Sequence, residues 1–329
     1  MRHGESAPVL VAVLLAGSAL LSGCATQAPV TEVRLISDSF KTLDAASQPL
    51  LDDLAAAERE QGKRAALIRA QPAAGGETSV TVPDSVANAA GCRGMMVIGG
   101  ENDKTPKVLT GFCTADSAYY SVLTDPPATA AFRHGLAALG AYTDLLLTLA
   151  EGRNLPEAQA QVKTLSGNLG AILAASGAPG ASVALGTAVT ALQPVLDLAA
   201  KQSNLEELKR LLLEDSGKVD AVATALRDAA PELFATLTEA PLRQFNEEGL
   251  DNPAIAREAA ARVESYRVAV SNYVVLLDRY NSLLQQLSAA MKQPTPAATL
   301  AVLVQRSAEL SQSADAWRRT LSGLRTGLK

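Results

Sequence analysis

The last quarter of the chain carries a seven-residue repeat of apolar side chains, and this repeat constrains the fold more than any other feature. One stripe consists of Ala256, Val263, Val270, Leu277 and Leu284, and a second consists of Ala259, Tyr266, Tyr273, Tyr280 and Leu287. Beyond a Pro-rich turn at 292–296, apolar positions alternate at spacings of three and four from Leu300 to Leu328. Heptad stripes bury against a facing helix. The pattern therefore predicts an antiparallel helical hairpin with arms of roughly 45–50 Å.

Three tyrosines of the second stripe, Tyr266, Tyr273 and Tyr280, are spaced by seven residues. The antiparallel register of the hairpin is expected to bring Trp317 near Tyr266 and Tyr273. Such a strip has two interpretations, because tyrosine combines an apolar ring with a polar tip. The rings can stack on a sugar or a protein partner, or they can lie at the edge of the core with their hydroxyls in water. We favour the second interpretation.

Helical periodicity also covers most of the remaining chain. From Ile36 to Ala57 a 4-3 spacing indicates a helix that reaches about Arg69. Pro49 has no N–H to donate, so we expect a kink or a restart near Gln48. Further apolar faces consist of Phe132, Leu136, Leu139, Thr143, Leu146 and Ala150; of Ala158, Val162, Leu165, Leu169 and Ile172; and of Leu208, Leu212, Asp215, Val219, Val222, Leu226 and Ala229.

Local signals predict where these helices begin and end. Gly152 is expected to stop one helix, and Pro156 lies at the start of the next. The run Ser203–Glu206 fits a capping box. Pro231 either starts a new helix or kinks the preceding one, and helix then resumes to about Phe245.

Residues 71–127 differ from the rest of the chain, because glycine and proline residues separate short runs of β-favouring residues. The runs are Ser79–Val82, Met95–Ile98, Lys107–Thr110 and Tyr119–Leu123. A turn is expected at Gly99–Lys104. A structureless loop of this length would be unusual in a compact protein, so we predict a small β-containing insert.

Composition limits the classes of function. Hydrophobic residues make up 48% of the chain and aromatic residues only 4%, which favours closely packed helices over a β-sandwich. The formal net charge is −5 and the basic residues form no stripe, which argues against nucleic-acid binding.

The N-terminus carries a short apolar run, Val9–Leu21, followed by Leu21-Ser22-Gly23-Cys24. Its 13 residues are too few to cross a bilayer as a helix, which needs about 20. The four residues resemble the lipobox of bacterial lipoproteins. The resemblance implies cleavage before Cys24, lipidation of its sulfur and, with Ala25 next in a Gram-negative host, sorting to the outer membrane. The other interpretation is an ordinary secretory signal cut nearby.

The compartment that the lipobox implies bears on the other two cysteines, Cys92 and Cys113. With Cys24 given to the lipid, two cysteines 21 positions apart in an oxidising compartment are expected to form one disulfide. In the chain-entropy model such a loop stabilises by roughly 3 kcal/mol. The alternatives are metal ligation and a redox pair. The sequence has neither a CxxC motif nor a cluster of histidines that would support them.

The segment 164–200 begins with a long uncharged run rich in glycine and alanine. No charged residue lies between Lys163 and Asp197, and Ala178-Pro179-Gly180 divides the run. We expect a helical hairpin buried at the centre of the bundle. The alternative is a membrane-inserting hairpin that loosely resembles those of helical pore-forming toxins, in which small residues pack in lipid.

Catalytic patterns are weak in this sequence. His134 lies on a predicted helix without a GxSxG motif elsewhere, which is more typical of a structural histidine. The pairs Asp52-Asp53, Glu206-Glu207 and Glu247-Glu248 diverge around a helix and indicate solvated faces. We expect no catalytic site, no cofactor and no metal ion.

Together these patterns predict a mainly α protein, an elongated antiparallel helical bundle with a coiled-coil-like hairpin and a small disulfide-stapled β insert. Its expected parts are a signal peptide (1–23), a tether (24–30), an N-terminal helix (31–70), the insert (71–127) and a helical bundle (128–329). The expected function is that of a lipid-anchored, periplasm-facing scaffold or interaction protein of the cell envelope, with an envelope protein as its partner. A pore-forming-like protein is the alternative, and an envelope enzyme acting on peptidoglycan or lipid is a remote one.

Overall fold

The computed structural model describes residues 29–69, 92–93, 97–98, 108–175, 183–292 and 296–327, and it shows a mainly helical protein. The helices are α1 (Val30–Arg69), α2 (Ser117–Tyr120), α3 (Pro127–Ala150), α4 (Leu155–Ala175), α5 (Val183–Ala199), α6 (Leu205–Glu214), α7 (Ser216–Asp228), α8 (Ala230–Gln244), α9 (Pro253–Lys292) and α10 (Ala297–Gly327). A 3-10 turn at Thr114–Asp116 precedes α2, and a π turn at Phe245–Gly249 follows α8. The signal peptide and Cys24 lie outside the described residues.

The two central helices, α1 and α3, run antiparallel. At one end of the pair Arg34 contacts Glu151 at 2.5 Å, and toward the other end Glu58 accepts a hydrogen bond from the Ala128 N–H. The apolar face predicted for α3 is buried throughout, and so is the face predicted for α4. The spacing of apolar residues therefore identified correctly which side of each helix faces the core.

The C-terminal hairpin of α9 and α10 is present as predicted, and α1 packs against it as a third helix. The Tyr273 and Trp317 rings lie 6.3 Å apart, which confirms the antiparallel register of α9 and α10. Along its length α10 also packs against α1, where the Ser39 hydroxyl donates to the Ser307 carbonyl at 2.8 Å. The heptad stripe of α10 is thus buried between two helices.

The remaining helices surround this core and define two ends of the bundle. Helix α4 returns antiparallel to α3, with His134 beside Asn168, and α7 runs antiparallel to α9, with Arg227 beside Asp278. We call the end that contains Val30, the α3–α4 turn and the C-terminus of α9 the Val30 end. The Arg69 end contains the C-termini of α1 and α4 and the N-termini of α3, α5 and α9.

The structure refines two of the predicted boundaries. Helix α1 ends at Arg69, as the spacing predicted, and of the two outcomes expected near Gln48, a kink or a restart, its continuity through Pro49 excludes the restart. The cap of α6 is Asn204 rather than Ser203, because the Asn204 side chain accepts from the Glu206 N–H at 2.9 Å. The stripe that begins there belongs to two helices, since α6 ends at Glu214 and α7 begins at Ser216.

Two of the three tyrosines of the second stripe do not reach water, contrary to our expectation, whereas Tyr266 is half-buried at the edge of the core. Tyr273 and Tyr280 are both fully buried. The Tyr280 hydroxyl lies 2.6 Å from the Thr143 hydroxyl and donates to the Leu139 carbonyl at 3.2 Å. Burial raises the pKa of both phenols above their ordinary value. These rings join α9 to α3 and α10 and are not an exposed strip.

The described part of the insert contains two short antiparallel pairs. Cys92–Arg93 pairs with Phe112–Cys113, and Val97–Ile98 pairs with Val108–Leu109. Val97–Ile98 and Val108–Leu109 lie within the strands predicted at 95–98 and 107–110, whereas the predicted strand at 79–82 and the turn at 99–104 lie outside the described residues. The strand predicted at Tyr119–Leu123 is wrong, because α2 occupies Ser117–Tyr120 and its Tyr119 ring packs against Gly62 of α1.

Candidate functional site

The cysteines predicted to form a disulfide face each other across a strand pair. Cys92 and Cys113 are register partners in the antiparallel ladder. Directly opposite residues of such a ladder have Cα atoms about 4.5–5.5 Å apart, within the range that a disulfide spans. Cys113 is buried.

The residues considered for catalysis have structural neighbours. His134 Nδ1 lies 3.4 Å from the Asn168 side-chain oxygen, so this histidine joins α3 to α4. Among the acidic pairs, Asp52 binds Arg133 at 2.7 Å and Glu207 binds Arg210 at 2.9 Å. Within the described ranges, no three His, Cys, Asp or Glu side chains are grouped to hold a metal ion.

A buried carboxylate that the sequence did not reveal lies between α1 and α3. Glu58 is 4% exposed and accepts from the Ala128 N–H at 2.8 Å, the Thr129 N–H at 2.9 Å and the Thr129 hydroxyl at 2.9 Å. Burial raises its pKa above the ordinary value, against the opposing effect of these hydrogen bonds and of Arg59. The contacts are those of a helix cap supplied by another helix, which makes Glu58 a structural group.

The segment 164–200 is not at the centre of the bundle, which corrects our expectation. Helices α4 and α5 form an outer layer, α4 against α3 and α5 against α7. One face of each is buried, and the opposite face is exposed at residues such as Thr164, Gly170, Thr187 and Ala191. No helix in the described part of the chain is long and apolar enough to cross a membrane.

Exposed large apolar side chains are concentrated at the Arg69 end. The most exposed are Leu123, Val122, Val183 and Leu250, at 90%, 89%, 77% and 76%. Others at the same end are Ile68, Phe112, Tyr120, Leu173, Leu242 and Phe245. Scattered apolar residues on a surface need no explanation, but a concentration of them indicates a contact surface.

The chain matches no protein-family model, and neither a curated protein nor a solved structure is similar to it. Function is therefore inferred from the residues of this chain.

Proposed function

We propose that this chain is a lipid-anchored, periplasm-facing scaffold or interaction protein of the bacterial cell envelope, without enzymatic activity. The lipobox Leu21–Cys24 supports the anchor, with Cys24 as the acylated residue. Several acyl chains, each contributing about 0.8 kcal/mol per buried methylene, hold a protein stably where a single chain does not. In a Gram-negative host the anchor lies in the outer membrane.

The observation that carries this proposal is the placement of the two ends. Val30 follows Cys24 by six positions, so the tether spans about 20 Å at most. The 40 residues of α1 extend about 60 Å from there at 1.5 Å per residue. With α1 directed away from the membrane, the apolar residues of the Arg69 end lie at the end of the bundle opposite the lipid, where an envelope protein can reach them.

The same geometry favours a scaffold over a pore. The C-terminus of α4 and the N-terminus of α5 belong to the Arg69 end, opposite to the anchored end. A hairpin that inserted into the membrane holding the lipid would have to point the other way. Both helices also bury one face against the bundle, and that packing would be lost on insertion.

Site-specific photo-crosslinking in cells tests the interaction surface. A photo-reactive residue in place of Leu123 or Leu250 is expected to give a discrete protein adduct, because both side chains are exposed at the Arg69 end. Val302, 42% exposed near the start of α10, is the matched control at the Val30 end. Adducts of equal yield from Val302, or none from either Arg69-end position, would contradict the proposal.

We also propose that Cys92 and Cys113 bond to each other and close the insert. Their register and the burial of Cys113 support this pairing. Thiol titration of the denatured, non-reduced Cys24→Ser protein is expected to find no free thiol, and two after reduction. Finding two thiols before reduction would rule the pairing out.

A further inference from the structure

Between α2 and α3 the chain makes a bend that displays two neighbouring apolar side chains. Val122 and Leu123 are 89% and 90% exposed, more than any other large apolar side chain of the described residues. Bends are usually formed by glycine, proline and small polar residues, and loop positions held by a rigid scaffold often carry binding residues. We call residues 121–125 the apolar bend.

Arg59 of α1 holds both sides of the apolar bend. Its Nε donates to the Ser121 carbonyl at 3.2 Å, and its Nη2 donates to the Thr124 carbonyl at 2.9 Å. Inside the bend, the Ser121 hydroxyl accepts from the Leu123 N–H at 3.0 Å. Because a guanidinium presents its N–H groups as a rigid planar fork, the two bonds fix the carbonyls that flank Val122 and Leu123.

The chain is also fixed before and after the apolar bend. Before it, the Tyr119 ring packs against Gly62, where a Cβ would overlap the ring. After it, the Asp125 carboxylate lies 3.0 Å from the Arg133 guanidinium, and Pro126 is buried. The backbone on both sides is thus attached to α1 or α3, whereas the two apolar side chains of the bend stay in solvent.

We infer that the apolar bend is a preorganised recognition element and that Arg59 is the residue that positions it. This role rests on the proposed function, because it concerns how the Arg69 end binds its partner. Ordering a loop on binding costs free energy, and a loop that is already held in place avoids that cost. Val122 and Leu123 enter an apolar pocket of a protein partner together.

A folded protein fits this element better than a lipid surface does. Segments that lie on membranes combine apolar side chains with many Lys and Arg residues on their polar side. The charges around the apolar bend are mixed instead, since Glu60 pairs with Lys63 at 3.1 Å and Asp125 pairs with Arg133. Preorganisation also increases affinity for a pocket of fixed shape, whereas a fluid bilayer has no such shape.

Arg59→Lys tests the positioning role, because lysine keeps the charge beside Glu58 but lacks the fork that bonds to two carbonyls. NMR relaxation of the secreted Cys24→Ser protein measures the order of the backbone. Residues 121–125 should have order parameters of about 0.85 in the parent and fall toward about 0.6 in Arg59→Lys. Circular dichroism should show equal helix content in both proteins.

Arg64→Lys is the matched control. Arg64 lies five positions further along α1 and pairs with Glu239 at 2.8 Å rather than with the apolar bend. This variant also keeps its charge, and it should leave the order parameters of residues 121–125 unchanged.

Photo-crosslinking in cells shows whether the partner recognises the ordered bend. With the photo-reactive residue in place of Leu123, the yield of the protein adduct should fall at least about fivefold in Arg59→Lys. The yield should stay at the parent level in Arg64→Lys.

Three results would overturn the inference and leave the proposed function standing. The first is order parameters below about 0.6 in the parent, or unchanged in Arg59→Lys. The second is equal adduct yields from the parent and Arg59→Lys. The third is an adduct from Leu250 but none from Leu123, or a Leu123 adduct to lipid rather than to protein. The absence of an adduct from both positions would instead remove the proposed function and this inference with it.

Discussion

Glu58→Ala is expected to lower the free energy of unfolding by roughly 2–4 kcal/mol, a large effect for one substitution on a helix. The first turn of α3 has few donors to satisfy: Pro127 has no N–H, and the Ala130 N–H donates to the Pro126 carbonyl at 2.8 Å. The N–H groups of Ala128 and Thr129 both donate to Glu58. Alanine would leave these two amides buried without an acceptor.

Chemical denaturation of the purified protein measures this loss. Glu60→Ala is the matched control, because Glu60 lies one half-turn away on the same helix, is exposed and pairs only with Lys63. Its effect should stay within about 0.5 kcal/mol. Equal denaturation midpoints for Glu58→Ala and Glu60→Ala would show that the cap contributes nothing.

The same carboxyl gives the stability a pH dependence whose sign is fixed. Burial holds the folded-state pKa of Glu58 above its unfolded value, so the folded protein binds the proton more tightly. The stabilisation that comes from this tighter proton binding is fully present below the unfolded pKa and is lost as pH rises through the folded pKa, while the hydrogen bonds of the cap remain. Asp44 and Asp220 have pKa values raised by burial and act in the same direction, while hydrogen bonding from Arg34 lowers the pKa of Glu151. The difference between the parent and Glu58→Gln isolates Glu58, since the other groups are common to both.

Heptad spacing predicted the long C-terminal helices and the contact of Tyr273 with Trp317, because it determines which side of a helix is buried. It does not determine the partner. The packing of α10 on α1 depends on Ser39 and Ser307, which are 268 positions apart. Glu58 was missed for the same reason. In a helical sequence pattern a single buried glutamate looks the same as one on the solvated face, and its hydrogen-bond partners lie 70 and 71 positions away.

The neutral run at 164–196 shows a different limit of sequence reasoning. The absence of charged residues predicted that both helices are completely buried. An exposed helix usually carries charged side chains on its outer face, and this run has none. The structure buries one face of each helix and leaves the other exposed. The missing charge does not tell which face of a helix is covered, and only the positions of the neighbouring helices show this.

With residues 1–23 replaced by an ordinary cleavable secretory signal, Cys24→Ser is expected to transfer the protein from the membrane fraction to the soluble periplasmic fraction, an almost complete change. The sulfur of Cys24 is the only atom through which the proposed anchor attaches. Each methylene of the acyl chains that is buried in the bilayer contributes about 0.8 kcal/mol to membrane binding, and without the chains this binding free energy is lost. Fractionation of the native host's envelope, with mass spectrometry of the N-terminal peptide, measures both location and acylation. Cys113→Ser, which removes a different sulfur, should stay in the membrane fraction.

The lipid-free protein then separates the scaffold from the pore. Added to dye-loaded vesicles, Cys24→Ser should release no dye, because α4 and α5 are packed against α3 and α7. Dye release would favour the pore-forming alternative. Retention of Cys24→Ser in the membrane fraction would instead show that something other than the lipid holds the protein there. A Cys24→Ser protein that is soluble, releases no dye and still crosslinks through Leu123 would show that the helical bundle recognises the partner. It would also show that the lipid determines where in the cell the protein lies.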